Sequence, residues 1–591
     1  MIKKSLLLCC SMLAFFVFSQ NKTNTNTFFQ DFKNSFTASY ESNSQWYLND
    51  SKFGDFEEEE HLRSTNFLRL DYSVSNQFSV GAQLESYAPE NLLNNSKLYN
   101  KDFGLATYYL RFATKKIDIT LGYFYEQFGS GLILRAWEDR ALGINTALRG
   151  ARLIYYPSNS IKITTLFGKQ RKGFEVSDGD IFGVDTEIDV SSTFNILSSS
   201  SLVLGLSYVG KNESYLKSDE SIINDIPELV NAFSARLDYT HQNFYTNVEY
   251  IEKSKDLRLN NIIPNIITFS ENETFKGNAL SWTAGYSQKG FGVSYNFRRL
   301  ENMRWFSERI QANANNNPTN QLSINYLPAL SKQHDYTLAN IYLYQSQPGL
   351  FIENYEYPFI KAGEIGQFID VFFYMKKGSL LGGKYGTKVN INMSYWANLA
   401  SDYSDPTGIP YFLSDNLTYE TEFINFKNKL YSDLNLEVRK KWSKQLKSIF
   451  TFINLYYNKS VLESKADNSS VRSWIGVVDG TYKFGKGKSL RLELQHLSTN
   501  DDARNWMGGT VEYFFNSNFG IYINDSYNYE ESKIEQDTKI HFFNIGGSYT
   551  KGASRFAVNY GRQRGGLLCV GGICRPVSQN TGVTVNFTTA F

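Results

Sequence analysis

The residues best equipped for chemistry lie within 128–150, where Arg135, Glu138, Asp139, Arg140 and Arg149 crowd into one glycine-punctuated stretch. Mixed charge of this kind suits a constriction, or a contact for an ionic solute, because guanidinium and carboxylate groups bond strongly once removed from water. The same groups could instead brace the stretch against a surrounding wall, through charges such as Arg69, Asp71, Glu437, Arg439, Arg491 and Glu493. A second candidate is Cys569 with Cys574, which flank Val570, Gly571, Gly572 and Ile573. A Gly-Gly pair takes the positive φ angles of a tight hairpin, which sets the two cysteines opposite each other and within disulfide reach. A disulfide at an outer loop tip is expected, and metal binding is the lesser reading, since no histidine lies nearby in the sequence.

Catalysis is not expected. The histidines are His61, His241, His334, His496 and His541. His496 follows Leu490, Leu492 and Leu494 on an apolar face and so marks an interface, while His241 and His334 fall in expected short turns. A hydrolase would need a serine and an orienting group beside a histidine, and no spacing here supplies them. Phosphate-cradling glycine loops, zinc spacings and EF-hand loops do not occur. Asp402 and Asp405, between Ser401 and Pro406, make a weak calcium candidate. No cofactor and no metal are expected.

The elements that position these residues follow from composition and period. The chain has 591 residues, with 60 Lys plus Arg against 59 Asp plus Glu, a formal charge of +1. That balance speaks against a nucleic-acid partner, which clustered positive charge would serve. Aromatic residues reach 16 % and prolines number only 11, so strand formers abound and strand breakers are scarce. The one long apolar run, 6–18, is too short for a membrane-spanning helix. It follows Lys3 and Lys4 and ends at Ser19, the pattern of a secretory signal peptide cut near Ser19. Cys9 and Cys10 leave with it; a lipoprotein reading of either is weak, because Leu8 and Cys9 stand where small residues belong. Residues 1–19 are thus an address, 20–34 a short periplasmic segment, and 35–591 the folded body. The remaining cysteine pair meets an oxidising compartment.

From about residue 35 the chain alternates with period two. Leu68, Leu70, Tyr72 and Val74 oppose Arg69, Asp71 and Ser73; Ile117, Ile119, Leu121 and Tyr123 oppose Asp118, Thr120 and Gly122. Phe233, Ala235, Leu237 and Tyr239 oppose Ser234, Arg236, Asp238 and Thr240. Val389, Ile391, Met393 and Tyr395 oppose Asn390, Asn392 and Ser394, and Leu430, Leu434, Leu436 and Val438 oppose Asp433, Asn435, Glu437 and Arg439. Alternation alone fits a soluble sandwich or a transmembrane barrel. Three cues favour the barrel. Apolar faces often end in aromatic residues, as girdles at two interfaces do. Connections alternate strictly between short and long. The last strand places Val583, Val585, Phe587, Thr589 and terminal Phe591 on one face, the pattern that outer-membrane barrels present to their insertion machinery. An ordinary edge strand is the plainer alternative.

Short turns are expected near 75–77, 115–116, 158–160, 193–199, 241–242, 289–290, 331–335, 378–383, 441–445, 484–488, 516–518 and 551–553. Twelve hairpins plus a first strand near 35–47 and a closing strand at 580–591 give an all-β, antiparallel transmembrane barrel of about 26 strands, within a range of 22 to 28. The long connections, such as 253–278, 300–319 and 399–428, should lie outside the cell or fold inward. An open pore of that girth would leak metabolites, so the lumen should be filled by inserted loops or by another protein. The stretch 128–150 is the best inserted loop, with a helix-like apolar spacing.

Three stretches carry a resemblance: Gly129-Ser130-Gly131 through Glu138-Asp139-Arg140, Ile324-Asn325-Tyr326-Leu327-Pro328-Ala329-Leu330, and Arg564-Gly565-Gly566 through Cys569 to Cys574-Arg575. They resemble an uncharacterised, domain-of-unknown-function outer-membrane β-barrel family of Bacteroidota, over nearly the whole mature chain. The resemblance implies location and barrel shape, and no reaction. The chain does not resemble TonB-dependent transporters, whose N-terminal plug it lacks. A loop-gated or plugged channel for solute passage is the expected function. An accessory subunit of a larger outer-membrane secretion or assembly complex is the alternative. The expected partners are outer-membrane lipid, the insertion machinery and other outer-membrane proteins.

Overall fold

The computed structural model describes residues 35–591 apart from 58–60, 93–102, 195–198, 215–226, 258–273, 309–321, 349–350, 354–358, 400, 405–417, 464–468 and 531–538. The stretches expected to be a signal peptide (1–19) and a short periplasmic segment (20–34) lie outside the described residues. Twenty-four strands form one antiparallel sheet. It closes on itself, because Phe36–Leu48 pairs with Leu62–Ser73 on one side and with Asn580–Ala590 on the other, Ser39 opposite Ala590 and Trp46 opposite Val583. Closure leaves the main sheet with no free edge.

Alternation sorts the two faces as the sequence implies. Met393, Leu434 and Leu436 are 48 %, 41 % and 38 % exposed on the outside, whereas Asp433, Asn435 and Glu437 are buried within. Leu430 departs from this pattern. The pairing of Thr387–Asn398 with Asn428–Lys441 slips between Trp396 and Ala397, where Tyr431 and Lys429 are the partners, so Leu430 is the extra residue of a bulge. A bulge reverses facing from that point on, and Leu430 is buried in an interior cluster.

Eleven of the twelve expected turns join neighbouring strands. The exception is 331–335, which lies within the long connection between Phe291–Glu301 and Gly363–Met375 and makes no hairpin. Removing that hairpin from the expected 26 strands leaves the observed 24. The alternation of connection lengths is not strict: residues 173–174 form a two-residue turn at the end that otherwise carries long connections, and 376–386 a long one at the other end. The two-residue turns follow local chemistry. Lys486 and Gly487 both take positive φ, 52° and 78°, the geometry that matches strand twist in a hairpin.

Two connections fill the lumen, and the hairpin of a third reaches onto them. The first, 125–147, carries two small hairpins, Glu126–Phe128 with Leu134–Ala136 and Glu138–Asp139 with Ile144–Asn145, in place of the helix-like run expected. Gly129, Gly131 and Gly143 hold positive φ and turn it too tightly for a helix. Residues 148–150 belong to the wall strand Leu148–Ser158, not to the loop. The second entrant includes 322–348. Each packs on its own half of the wall. Phe128, Leu132, Ile133 and Leu134 meet Ile181, Val209, Val230, Ile251 and Leu300, while Tyr336, Leu338, Tyr342 and Tyr344 meet Leu455, Ile475, Val477, Leu497 and Trp506. These wall residues are inward positions near the long-connection ends of their strands, where the chain becomes apolar on both faces.

Candidate functional site

The plug is built from the three sequence stretches that are far apart in the chain. Tyr326 sits where they meet. Its backbone N–H donates to the carbonyl of Gly131 at 2.9 Å, and the Arg135 N–H donates to the Ile324 carbonyl at 2.9 Å, so the two inserted segments share a short backbone ladder. Asn325 Nδ2 donates to the Leu132 carbonyl at 3.2 Å and the Met303 carbonyl at 2.7 Å. The Arg135 guanidinium lies 3.8 Å from the Tyr326 ring centroid and 5.1 Å from that of Trp137. From the third stretch, the hairpin Gly566–Val570 with Ile573–Val577 reaches in. Its tip accepts the Tyr326 hydroxyl on the Gly571 carbonyl at 2.7 Å and the Ala329 N–H on the Gly572 carbonyl at 2.8 Å. Gly571 and Gly572 have φ of 56° and 84°. A Cβ on Gly572 would stand 2.5 Å from the Ala329 carbonyl oxygen, so the close approach requires glycine.

Cys569 and Cys574 are directly paired across this hairpin and joined as a disulfide. The hairpin tip does not project away from the molecule as an outer loop tip would; it is seated against the plug.

The charges of the first segment brace it to the wall. Arg140 donates to Glu41 at 3.0 Å and to the Gln83 side-chain carbonyl at 2.9 Å, and stacks over Phe67. Glu138 accepts from Gln83 Nε2 at 2.9 Å and pairs with Arg140 at 3.4 Å. Asp139 accepts the Leu142 N–H at 2.9 Å and closes a turn. Arg135 alone stays on the aromatic rings, without a carboxylate partner among the described residues. Arg149 is a correction: it falls on the outward face, opposite Tyr123 and on the side of exposed Leu153 and Tyr155, because its strand has already begun. The expected wall partners are also corrected. Arg69 pairs with Asp71, Arg439 with Glu437, and Arg491 with Asp479, Glu493 and Glu512, all along the wall itself.

Two buried wall carboxylates were not singled out by sequence reasoning, and they do the anchoring. Glu249 accepts the Ser130 N–H at 3.0 Å and the Ser234 hydroxyl at 2.7 Å. Glu364 accepts from Arg298 at 2.5 Å, the Tyr344 hydroxyl at 2.5 Å, the Gln347 N–H at 2.7 Å and the Ser346 hydroxyl at 3.0 Å. Burial and the adjacent Glu364 charge push the Tyr344 hydroxyl well above its ordinary range, so it stays a donor. The signal that could have found both glutamates is an acid on the inward face close to apolar inward neighbours.

The histidines are scattered. His334, expected in a short turn, is inside the lumen, its Nε2 2.9 Å from the Asn435 side-chain oxygen. Burial lowers its pKa below the ordinary 6.5. His496 lies on the outward side beside exposed Leu494 and bonds the Tyr529 hydroxyl. Among the described residues, His241 bonds Ser200 at 2.6 Å without a carboxylate, whereas His541 has Asp525 at 2.7 Å without a serine. The side chains of Asp402 and Asp405 lie outside the described residues.

Beneath the plug the inward face is polar and paired: Arg111 and Arg152 with Asp118, Arg236 with Asp185, and Arg491 with Asp479. The chain therefore encloses a charged half-lumen at its short-turn end and a packed closure at the other.

A sequence model described as a family of unknown function (DUF6029) matches residues 1–591. No curated protein matches the chain. Among solved structures, the P pilus usher PapC translocation pore is similar at 10 % identity, covering 94 % of this chain and 99 % of that one, with a TM-score of 0.44. The siderophore receptor PirA from Pseudomonas aeruginosa is similar at 8 % identity, covering 97 % and 82 %, with a TM-score of 0.38. The copper transporter OprC is similar at 9 % identity, covering 94 % and 80 %, with a TM-score of 0.35. At such scores the fold is read from this chain's own strand pairing.

Proposed function

The chain belongs to that family of unknown function, and we propose that it is an outer-membrane barrel acting as a plugged, loop-gated channel for ionic solutes. Membrane residence is supported by the outward face, where Leu206, Phe233, Leu494, Ile523 and Ile545 are each more than half exposed. A closed barrel with such a face needs lipid around it. The export signal at 1–19 and the strand carrying Val583, Val585, Phe587 and Phe591 accord with delivery to the insertion machinery. The observation that carries the channel reading is the division of the lumen. A charged, paired half leads to a plug held by backbone ladders, two carboxylate anchors and a hairpin, all reversible contacts save one disulfide.

Planar bilayers test it. The native protein should show low conductance with rare openings, and Glu249→Ala combined with Glu364→Ala should open it. Sealed bilayers for both would sink the channel reading.

One observation favours the accessory-subunit reading. Three consecutive connections at the short-turn end, with the strand ends beside them, carry Lys376, Lys377, Lys384, Lys388, Arg439, Lys440, Lys441, Lys444, Lys447, Lys483, Lys486 and Lys488, with no acid in 371–388, 438–448 or 480–489. Leu380, in the first of them, is 98 % exposed. This rim fits an acidic periplasmic protein, and extraction in mild detergent should then recover a partner that charge reversal of Lys376, Lys377 and Lys384 releases.

A further inference from the structure

We propose that the outer surface of the barrel holds one phosphorylated glycolipid of the outer leaflet, its acyl chain in an apolar groove and its phosphate on Lys429 and Arg472. The inference rests on the reading that the outward face meets a bilayer, and it adds a specific ligand to that face.

The groove has a volume of about 720 Å³ and lies between strand wall and loop. Trp282, Tyr295 and Phe297 form its floor, and Ile424 and Phe426 form its far wall. The register makes these outward positions. Trp282 pairs with Phe297, Phe297 with Gln367, and the intervening Arg298 points inward to Glu364. Among the described residues the polar lining side chains are Gln367 and the tyrosines Tyr295 and Tyr395, while the Trp282 indole N–H donates to Thr246 at 3.0 Å and Gln367 accepts from the Tyr295 hydroxyl at 3.2 Å. A volume in this range holds a substantial ligand.

The loop that completes the groove is fastened, not draped. The Tyr395 hydroxyl donates to the Phe426 carbonyl at 2.9 Å, and Arg299 Nε donates to the Phe423 carbonyl at 2.8 Å while its guanidinium stacks on the Phe423 ring. Arg299 and Glu301 pair on the outward face beneath this loop, and Thr421 donates to Glu301 at 2.7 Å. Yet Phe423 and Ile424 remain 51 % and 63 % exposed. A loop held in place with its apolar side chains bared is suited to a hydrocarbon neighbour.

The headgroup end is defined by charge. Lys429 Nζ stands 5.5 Å from the ring of Tyr395, which lines the groove, and 4.3 Å from the ring of Tyr456; Arg472 stands 5.9 Å from the same Tyr456 ring. Two cations thus share one tyrosine, and neither has a carboxylate partner among the described residues. Like charges placed together without a counter-charge invite an anion. Height along the barrel fixes the leaflet. Trp282 is seven residues from the turn at 289–290, and Lys429 is thirteen residues from the turn at 442–445. The groove therefore runs from mid-wall at Trp282 to the long connection that carries Ile424 and Phe426, and the cations lie at that end, which is the order of chain and phosphate in the outer leaflet.

The test uses the full protein purified from outer membranes in mild detergent, with bound lipid identified by native mass spectrometry and extraction. Lys429→Gln with Arg472→Gln removes the phosphate contacts, and Val248→Trp fills the groove without touching the cations. Folding of each variant is checked by heat-dependent electrophoretic migration. The native protein should retain the phosphorylated glycolipid at near-stoichiometric level, and each variant should lose it about tenfold or more. Equal retention in all three proteins, or recovery of only glycerophospholipid or detergent, overturns the proposal while leaving the barrel in its membrane. Recovery of the folded chain from the soluble fraction overturns both this inference and the membrane reading beneath it.

Discussion

The guanidinium of Arg135 lies 3.8 Å from the ring centroid of Tyr326, and this contact joins the two segments that fill the lumen. The same tyrosine donates its hydroxyl to Gly571, 245 residues further along the chain. One side chain thus couples both plug segments to the disulfide hairpin. A cation held on aromatic faces contributes about 0.5–2 kcal/mol depending on desolvation, and the neutral hydrogen bond about 1 kcal/mol.

Those magnitudes separate two substitutions. Tyr326→Phe keeps the ring under Arg135 and loses only the hydroxyl, so plug opening should change by at most about fivefold, the equivalent of about 1 kcal/mol. Tyr326→Ala removes ring, hydroxyl and packing together and should raise open probability by an order of magnitude or more. Single-channel recording reads both, and equal behaviour of the two variants would show that Tyr326 is not the junction.

Reduction of Cys569–Cys574 tests the hairpin separately. The loop closed by this disulfide is short, so its loss costs roughly 2 kcal/mol of chain entropy, felt mainly by the hairpin. Added thiol reductant should increase channel openings while heat-dependent gel migration of the barrel stays unchanged. A global loss of the folded band would place the disulfide in the barrel's stability instead of in its closure.

The barrel was legible in the sequence because a strand facing two different surroundings must alternate, and Met393 through Tyr395 or Leu434 through Glu437 record that at every residue. The plug was only half legible. Charged residues at 135–140 announce an inserted loop, but 331–335 still reads as a turn, since turn chemistry is local and knows nothing of which side of a wall it lies on. Arg149 was misplaced for the converse reason: the strand begins at Leu148, and one residue decides which face a side chain takes. Glu249 and Glu364 are marked locally only as inward acids near apolar inward neighbours, which does not say what they hold. Their role depends on Ser130 and Tyr344, which the fold brings from distant positions.

Glu364 offers the sharpest stability test. Arg298 is 2 % exposed and pairs with it, so Glu364→Ala leaves a buried guanidinium without its carboxylate. Breaking a buried pair from one side costs about 3–5 kcal/mol. The variant should unfold at clearly lower temperature by the gel-migration assay, and the double variant with Arg298→Met should recover much of the loss.

Outward leucines test the surroundings of the barrel. Leu434→Arg puts a charge on the outer face, at a cost of about 2–4 kcal/mol near a bilayer midplane. Asn435→Arg, one residue on, points inward and meets Asp433 and Glu437 instead. Assembly into membranes should fall for the first variant and persist for the second. Removal of Phe591 should slow assembly without altering the folded product. The reverse ranking of Leu434→Arg and Asn435→Arg would place the apolar face inside.

Acid should loosen the plug through His334. Burial, the largest influence, lowers its pKa below 6.5, and Lys332 adds to the lowering, while the bond to Asn435 opposes it. The neutral ring is therefore the form the closed plug accepts. Above pH 6.5 the ring is neutral whether the segment is docked or released, and no penalty arises. As pH falls from 6.5 towards the lowered value, the released segment takes up a proton that the docked one refuses, so docking weakens progressively; below that value the loss is complete. Conductance should accordingly rise on acidification within this window. His334→Gln, which keeps a donor for Asn435 and cannot titrate, should flatten the response. A native and a variant protein with superimposable pH profiles would remove His334 from the gate.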